Sequence, residues 1–419
     1  MRLRTKVFID HTLGKLLCYS LFPLVRIVGI LLRRDHSIRH DNVNSIAVAK
    51  YYGMGSIVHS TPMLRALREK YPYAKLIFIT RKNNKSLFSH LEHIDEVFFV
   101  DDSSLLSLIS SNIKLVTQLI NNRIDLFFDL ELFSAYGALI SLLSFSRNRI
   151  GFASGLRTDF KTLLYTHLMY FNFQMPVRMC YLQMARIANV SADASLTLVK
   201  LKIQQAAKKK AQIKLAEILP NNESVNFLAF NINATEVSLE RRWSFENLEI
   251  VARYFAEKGY HILFVGSADE RSYVQRAVDK LDDISELVHN VAGLFSLAEF
   301  LAFLKECSAL LTTDSGIMNF AYALDVPTVS LWGPDTPVQY HVNKKNTCAI
   351  WQPAYCSPCI YRFSVPPCKG NNVCMDLVNP DNVIVALNRL LENKTKEQVE
   401  NITPVHLDSQ LKPLGFLIK

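Results

Sequence analysis

The chain has 419 residues, 49% of them hydrophobic and 20% charged, which is enough for two or three globular domains with sizeable cores. The formal net charge is +9, but residues 1–40 hold eight Lys/Arg (Arg2, Arg4, Lys6, Lys15, Arg26, Arg33, Arg34, Arg39) against Asp10 and Asp35, and so carry six of those nine charges. The remainder is nearly balanced, which argues against a nucleic-acid protein and for a basic N-terminal segment meeting an acidic surface.

That segment contains Leu16–Leu32 (LLCYSLFPLVRIVGILL), apolar but short for a span and interrupted by Pro23 and Arg26. No small-residue cleavage site of the A-x-A kind follows, so a secretory signal is not expected. Residues 1–40 read as a membrane-interface segment whose helix lies in the headgroup region, its arginines at the rim over anionic lipid. A helix packed on the protein's own surface and a true span are the alternatives.

Next, Ser45–Lys50 (SIAVAK) predicts a buried strand, Tyr51–Ser56 a glycine-bearing turn, and Ile57–Lys70 a helix with a kink or late start at Thr61–Pro62. Strands are expected at Leu76–Thr80, Val97–Val100, Asp125–Asp129 and Arg149–Phe152, with helices around Leu105–Asn121 and Ala135–Phe145. This alternation predicts an α/β domain with a mostly parallel sheet over residues 41–220. The pair Asn221–Asn222 marks the boundary. Beyond it, strands at Phe227–Phe230, Ile262–Val265, Leu310–Thr312 and Thr328–Leu331 alternate with helices near Phe245–Lys258, Glu270–Leu281 and Leu297–Cys307. The fold class is α/β: two doubly wound Rossmann-like domains, 41–220 and 221–395, facing a cleft, with a polar tail over 396–419.

Eight cysteines in so long a chain do not describe a disulfide framework. Four cluster as Cys356-x2-Cys359-x8-Cys368-x5-Cys374, a spacing that would suit a structural zinc; reduced thiols packed in a loop and disulfides are the other readings.

The most informative stretch is Leu310–Pro337, LLTTDSGIMNFAYALDVPTVSLWGPDTP. It reads as strand, turn, helix, strand and Gly-Pro turn. Asp314 is placed as the N-cap, Ser315–Gly316 open the helix, and its free N–H groups favour phosphate. The carboxyl edge of such a sheet is where ligands bind. Gly53 and Gly55 would likewise let the backbone approach a ligand.

The pattern T-D-S-G-x-M-x-x-x-A-x-A-L-x-x-P-x-x-x-L-x-G-P-x-x-P resembles the donor signature of glycosyltransferase family 9, the bacterial heptosyltransferase family. The resemblance covers residues 44–390 and implies a GT-B fold and an inverting, metal-independent transfer from a nucleotide-diphospho-sugar. The family has His where this chain has Asn319. It also has Asp, taken as the base, where this chain has Ser56, and serine is no base at neutral pH. Glu131, after the strand DLFFDL, is the expected substitute, with His59 as the alternative.

N-I-N-A-T-E-V-S-L-E-R-R-W-S resembles the family's first donor loop, with Asn233 and Ala234 in the turn and Arg241 and Arg242 on the pyrophosphate. Asp314, Ser315 and Gly316 are expected at the phosphate–sugar junction, Gly266 and Glu270 at the ribose, and Phe295 at the base. No cofactor is required for catalysis on this reading. The implied partners are a nucleotide-sugar donor, a lipid-linked or envelope glycan acceptor and an anionic membrane surface, at the cytoplasmic face of the inner membrane. A nucleotide-sugar epimerase of similar fold, or a non-catalytic nucleotide-sugar-binding protein, is the other class. Sugar, base, acceptor and oligomeric state stay open.

Overall fold

The computed structural model describes residues 10–31, 36–38, 43–153, 160–219, 226–233, 239–360 and 366–395. Ala234, the tail and most of the N-terminal arginines lie outside these residues. The chain divides into two compact units, at Lys202/Ile203.

In the first unit, a π-helical turn Asp10–Gly14 leads into α1 (Lys15–Leu31). The sheet is built from β1 (Ser45–Ala49), β2 (Lys75–Arg81), β3 (Glu96–Val100), β4 (Leu126–Asp129), β5 (Asn148–Ala153) and β6 (His167–Tyr170). All pair in parallel, in the order β3-β2-β1-β4-β5-β6. Central strands such as SIAVA are buried along their whole length, as expected of a parallel sheet covered on both faces. The helices are α2 (Met54–His59), α3 (Thr61–Lys70), α4 (Leu105–Asn121), α5 (Ala135–Leu143) and α6 (Val177–Ala185). The expected break before Pro62 falls at Ser60, with the proline in the first turn of α3, where its missing N–H costs nothing.

α1 is amphipathic in place. Cys18 is fully buried against Ala135, Ala138, Leu164 and Tyr165, while Leu16, Leu24, Ile27, Ile30 and Leu31 are exposed. Asp10 accepts hydrogen bonds from the N–H groups of Ala135 (3.1 Å) and Tyr136 (2.9 Å) at the start of α5. The stretch Thr12–Leu31 is long and apolar enough to cross a membrane by length and composition.

The second unit begins with α7 (Gln205–Ile218), ahead of the boundary expected near residue 220. This helix packs on α10 (Leu297–Glu306), and its Lys214 ammonium donates to the carbonyl of Leu294 (2.9 Å) and to Glu299 (2.8 Å). Its Lys- and Ala-rich sequence hides the three buried residues, Ala207, Ala211 and Leu215, that fix it there. The strands are β7 (Phe227–Asn231), β8 (His261–Val265), β9 (Val288–Asn290), β10 (Ala309–Thr313), β11 (Thr328–Trp332) and β12 (Thr347–Trp351), all parallel, in the order β12-β11-β10-β7-β8-β9. Helices α8 (Phe245–Glu257), α9 (Arg271–Val278), α10, α11 (Gly316–Ala323), α12 (Pro337–Tyr340), α13 (Val373–Asp376) and α14 (Pro380–Thr395) complete it.

In each unit the strand order reverses beside the first strand, between β1 and β4 and between β7 and β10. A crevice outside the carboxyl ends of the strands opens at such a point.

Candidate active site

In the first unit the reversal brings the glycine turn beside Glu131. Gly53 has φ +81°, a left-handed backbone that side chains resist. Gly55 is buried, and the half-buried Ser56 hydroxyl hydrogen-bonds to the phenol of Tyr181. Glu131 is only 6% exposed. Its Oε2 accepts from the Lys50 ammonium (2.7 Å), and its Oε1 accepts from the N–H groups of Tyr51 (2.7 Å) and Tyr52 (3.0 Å). Its own carbonyl accepts from the Lys161 ammonium at 2.6 Å, and its N–H donates to Asp129 at 3.0 Å. Burial pushes Asp129 up to about 6, with Lys161 and the Tyr165 phenol pulling it back. Glu131 is thus the post that ties the turn after β1 to the end of β4. His59 is fully buried inside α2, which removes it as a base for an external hydroxyl.

In the second unit, Asp314 is not the N-cap. Ser315 holds that position, and its hydroxyl turns inward to accept from Asn231 (2.8 Å) and meet Thr312 (3.1 Å). Asp314 instead faces Arg241, whose Nη2 lies 3.3 Å from Oδ2 and whose Nη1 donates to the Asp314 carbonyl at 3.3 Å. Asp335, from the Gly-Pro turn after β11, lies 4.0 Å from the same guanidinium. Burial raises both carboxyls, and the Asp314 charge adds to the push that takes Asp335 to about 7. Because Ser315 does not cap α11, its hydroxyl leaves the first-turn N–H groups to other acceptors, and a side chain at Gly316 would meet nothing within 4 Å.

Beside this, the guanidinium carbon of Arg242 sits over the Tyr273 ring, 3.9 Å from its centroid, and Nε donates to Asn233 at 2.7 Å. Ser244 caps α8 as expected, accepting from Asn247. Gly266 precedes a capping box made by Ser267 and Glu270, in which Glu270 accepts from the N–H of Ser267 at 2.6 Å. The next loop packs on this one. Gly293 donates to the Gly266 carbonyl (3.0 Å), has φ +74°, and would clash with Ala268 if it carried a side chain. Phe295 stacks on Phe303 of α10 with centroids 4.8 Å apart, so one face of its ring is already taken.

Of the three readings of the cysteine cluster, the structure has the reduced thiols. Cys356, Cys359, Cys368 and Cys374 are free thiols, and among the described residues no three His, Cys, Asp or Glu side chains stand together as a metal would need. Hydrogen bonds close the loop instead: the N–H groups of Cys359 (2.9 Å) and Ile360 (3.0 Å) reach the Pro334 carbonyl, and Ser357 donates to that of Gly333.

Lys50, Asp129, Lys161, Asn231, Tyr273 and Asp335 do not stand out in the sequence. A signal exists for Asp335, a variable place inside G-P-x-x-P, and for Asn231, a polar residue ending a buried strand.

A family model described as glycosyltransferase family 9 (heptosyltransferase) matches residues 113–368, the stretch holding Glu131, both arginines and Asp314–Gly316. The chain belongs to glycosyltransferase family 9. Among curated proteins of this family, lipopolysaccharide heptosyltransferase 2 of Salmonella typhimurium is 31% identical over 98 residues, 23% of this chain. That match spans 28% of the relative's own length. Two solved structures share the fold. One is a family 9 glycosyl transferase from Veillonella parvula, with TM-score 0.71 and 20% identity over 86% of this chain and 100% of that one. The other is described as the ADP-heptose LPS heptosyltransferase II of E. coli, with TM-score 0.67 and 19% identity over 84% of this chain and 100% of that one. The two Rossmann-like units are those of the GT-B fold of family 9.

Proposed function

We propose that this family 9 chain transfers a sugar, with inversion, from a nucleotide-diphospho-sugar to a hydroxyl of a lipid-linked or envelope glycan, as in lipopolysaccharide assembly. The observation that carries this reading is the donor edge: an uncapped α11 start beside an open Gly316, with Arg242 stacked alongside. The acceptor oxygen attacks the anomeric carbon, the bond to the phosphate oxygen breaks, and the nucleoside diphosphate leaves. Its developing charge is met by the Arg242 fork and the first amides of α11. Arg241 holds the Asp314–Asp335 pair rather than the phosphate. The proton goes to Glu131, by way of the one of its roughly four lone-pair sites that Lys50, Tyr51 and Tyr52 leave over. The exposed apolar side of α1 supports a seat on the cytoplasmic face of an anionic membrane.

Calorimetry with nucleoside diphosphates tests the donor site, ADP first because the E. coli enzyme of similar fold is named an ADP-heptose LPS heptosyltransferase. Arg242→Ala should weaken binding by about 1.5–3 kcal/mol through loss of a charge-assisted contact. Unchanged affinity would reject the phosphate role.

A further inference from the structure

We infer that α4 is a second membrane-contacting element, which deepens the membrane reading proposed above and rests on it. The inner side of α4 is settled: Leu108, Leu115, Val116 and Leu119 pack into the core over β1–β4. Its outer side is also apolar. Leu106 is 80% exposed, Ile113 65%, Ile109 51% and Ile120 41%, and helical spacing places them in one stripe. The polar residues Ser107, Ser110, Lys114 and Gln118 share a separate arc, so the apolar face of α4 is wider than the core covers, and its uncovered part is the kind of surface that meets lipid or a partner.

The helix that carries the stripe is linked to the anchor through α5. Tyr136 and Ile140 of α5 pack with α4, and the Tyr136 phenol bonds to Asn112. Ala135, Ala138, Leu139 and Leu142 of the same helix pack with Cys18 and Leu21 of α1. α5 therefore joins α4 to α1, and Phe145, just beyond its end, adds another exposed ring. Charge selects the occupant. Over their whole lengths α1, α4 and α5 contain no Asp or Glu, and their charged residues are Lys15, Arg26 and Lys114. An apolar stripe on helices that carry cations and no acidic residue fits the headgroup region of an anionic bilayer.

The test uses the full chain with vesicles of phosphatidylcholine containing phosphatidylglycerol, and with phosphatidylcholine alone. The double variant Leu106→Glu/Ile113→Glu should lower the partition coefficient on the anionic vesicles at least about tenfold, with thermal stability unchanged. In Ile109→Trp, the added indole emission, read against the parent, should shift to the blue on those vesicles and be quenched by brominated lipid. If the parent binds and the double variant binds equally, α1 is the whole anchor and this inference fails alone. If the parent binds neither vesicle, the membrane reading fails with it. A parent that self-associates in lipid-free buffer and a double variant that does not would give the stripe to a second copy of the chain. Should the double variant lose stability, an unshifted indole emission from Ile109→Trp would by itself overturn the inference.

Discussion

Asp314 and Asp335 share one guanidinium between two buried carboxyls, and this is where pH should act. Asp335 moves from the ordinary 3.8 to about 7 on folding, so the folded chain prefers its protonated form. A raised carboxyl contributes stability that is complete below about 4 and lost as pH rises toward about 7. Asp335→Asn should remove that loss and flatten the pH dependence of the melting temperature across this window. Parallel curves for variant and parent would show that the pair does not titrate there. Glu131 poses a different question, since its three hydrogen bonds describe a structural post as much as a base. Glu131→Gln should lower turnover about 100- to 10,000-fold if the proton goes to this carboxylate. It also removes the carboxylate charge that pairs with Lys50, so stability must be followed beside the rate. The deciding variant is Ser56→Asp in the Glu131→Gln background. Restored turnover at unrestored stability assigns the loss to the missing base, whereas turnover that merely tracks stability makes Glu131 the post alone.

At the level of elements, the buried parallel strands were legible because both faces are covered, leaving unbroken runs such as SIAVA and FLAF. β6 and β12, both half-exposed strands at a sheet edge, were not expected from the sequence, although β12 (TCAIW) carries an apolar run of its own. β9 has three residues, too few for any pattern. α6 went unseen because VRMCYLQMA is buried nearly all round, which erases the helical stripe. Motif residues at the site were legible by type and spacing, but their partners were not. Lys50 lies 81 residues from Glu131 in the chain, and only the β1–β4 pairing makes them neighbours. The N-cap at α11 was misplaced by one residue for a similar reason. Asp314 and Ser315 are about equal as caps by type, and Arg241, 73 residues earlier, claims the Asp314 carboxylate, which leaves Ser315 at the cap position.

At the scale of the molecule, charge and greasiness are concentrated at one end of the chain, yet that end is also part of the first unit's packing. Removing residues 1–40 should therefore do two things at once. The chain should leave the anionic vesicle fraction, because the basic segment and the outer face of α1 go with it. The first unit should also lose stability. Without Asp10, two N–H groups at the start of α5 lose an acceptor, a loss of about 1 kcal/mol by analogy with a missing cap, and the seat of Cys18 against Ala138 and Leu164 opens to water. The second unit, with its own core from Leu228 to Leu391, contains none of these contacts, so its calorimetric transition should stay in place while the first moves down. A truncated chain with both transitions unmoved would mean that α1 does not pack on the first unit in solution. One that still sediments with vesicles would put the main anchor on the face that α4 and α5 present.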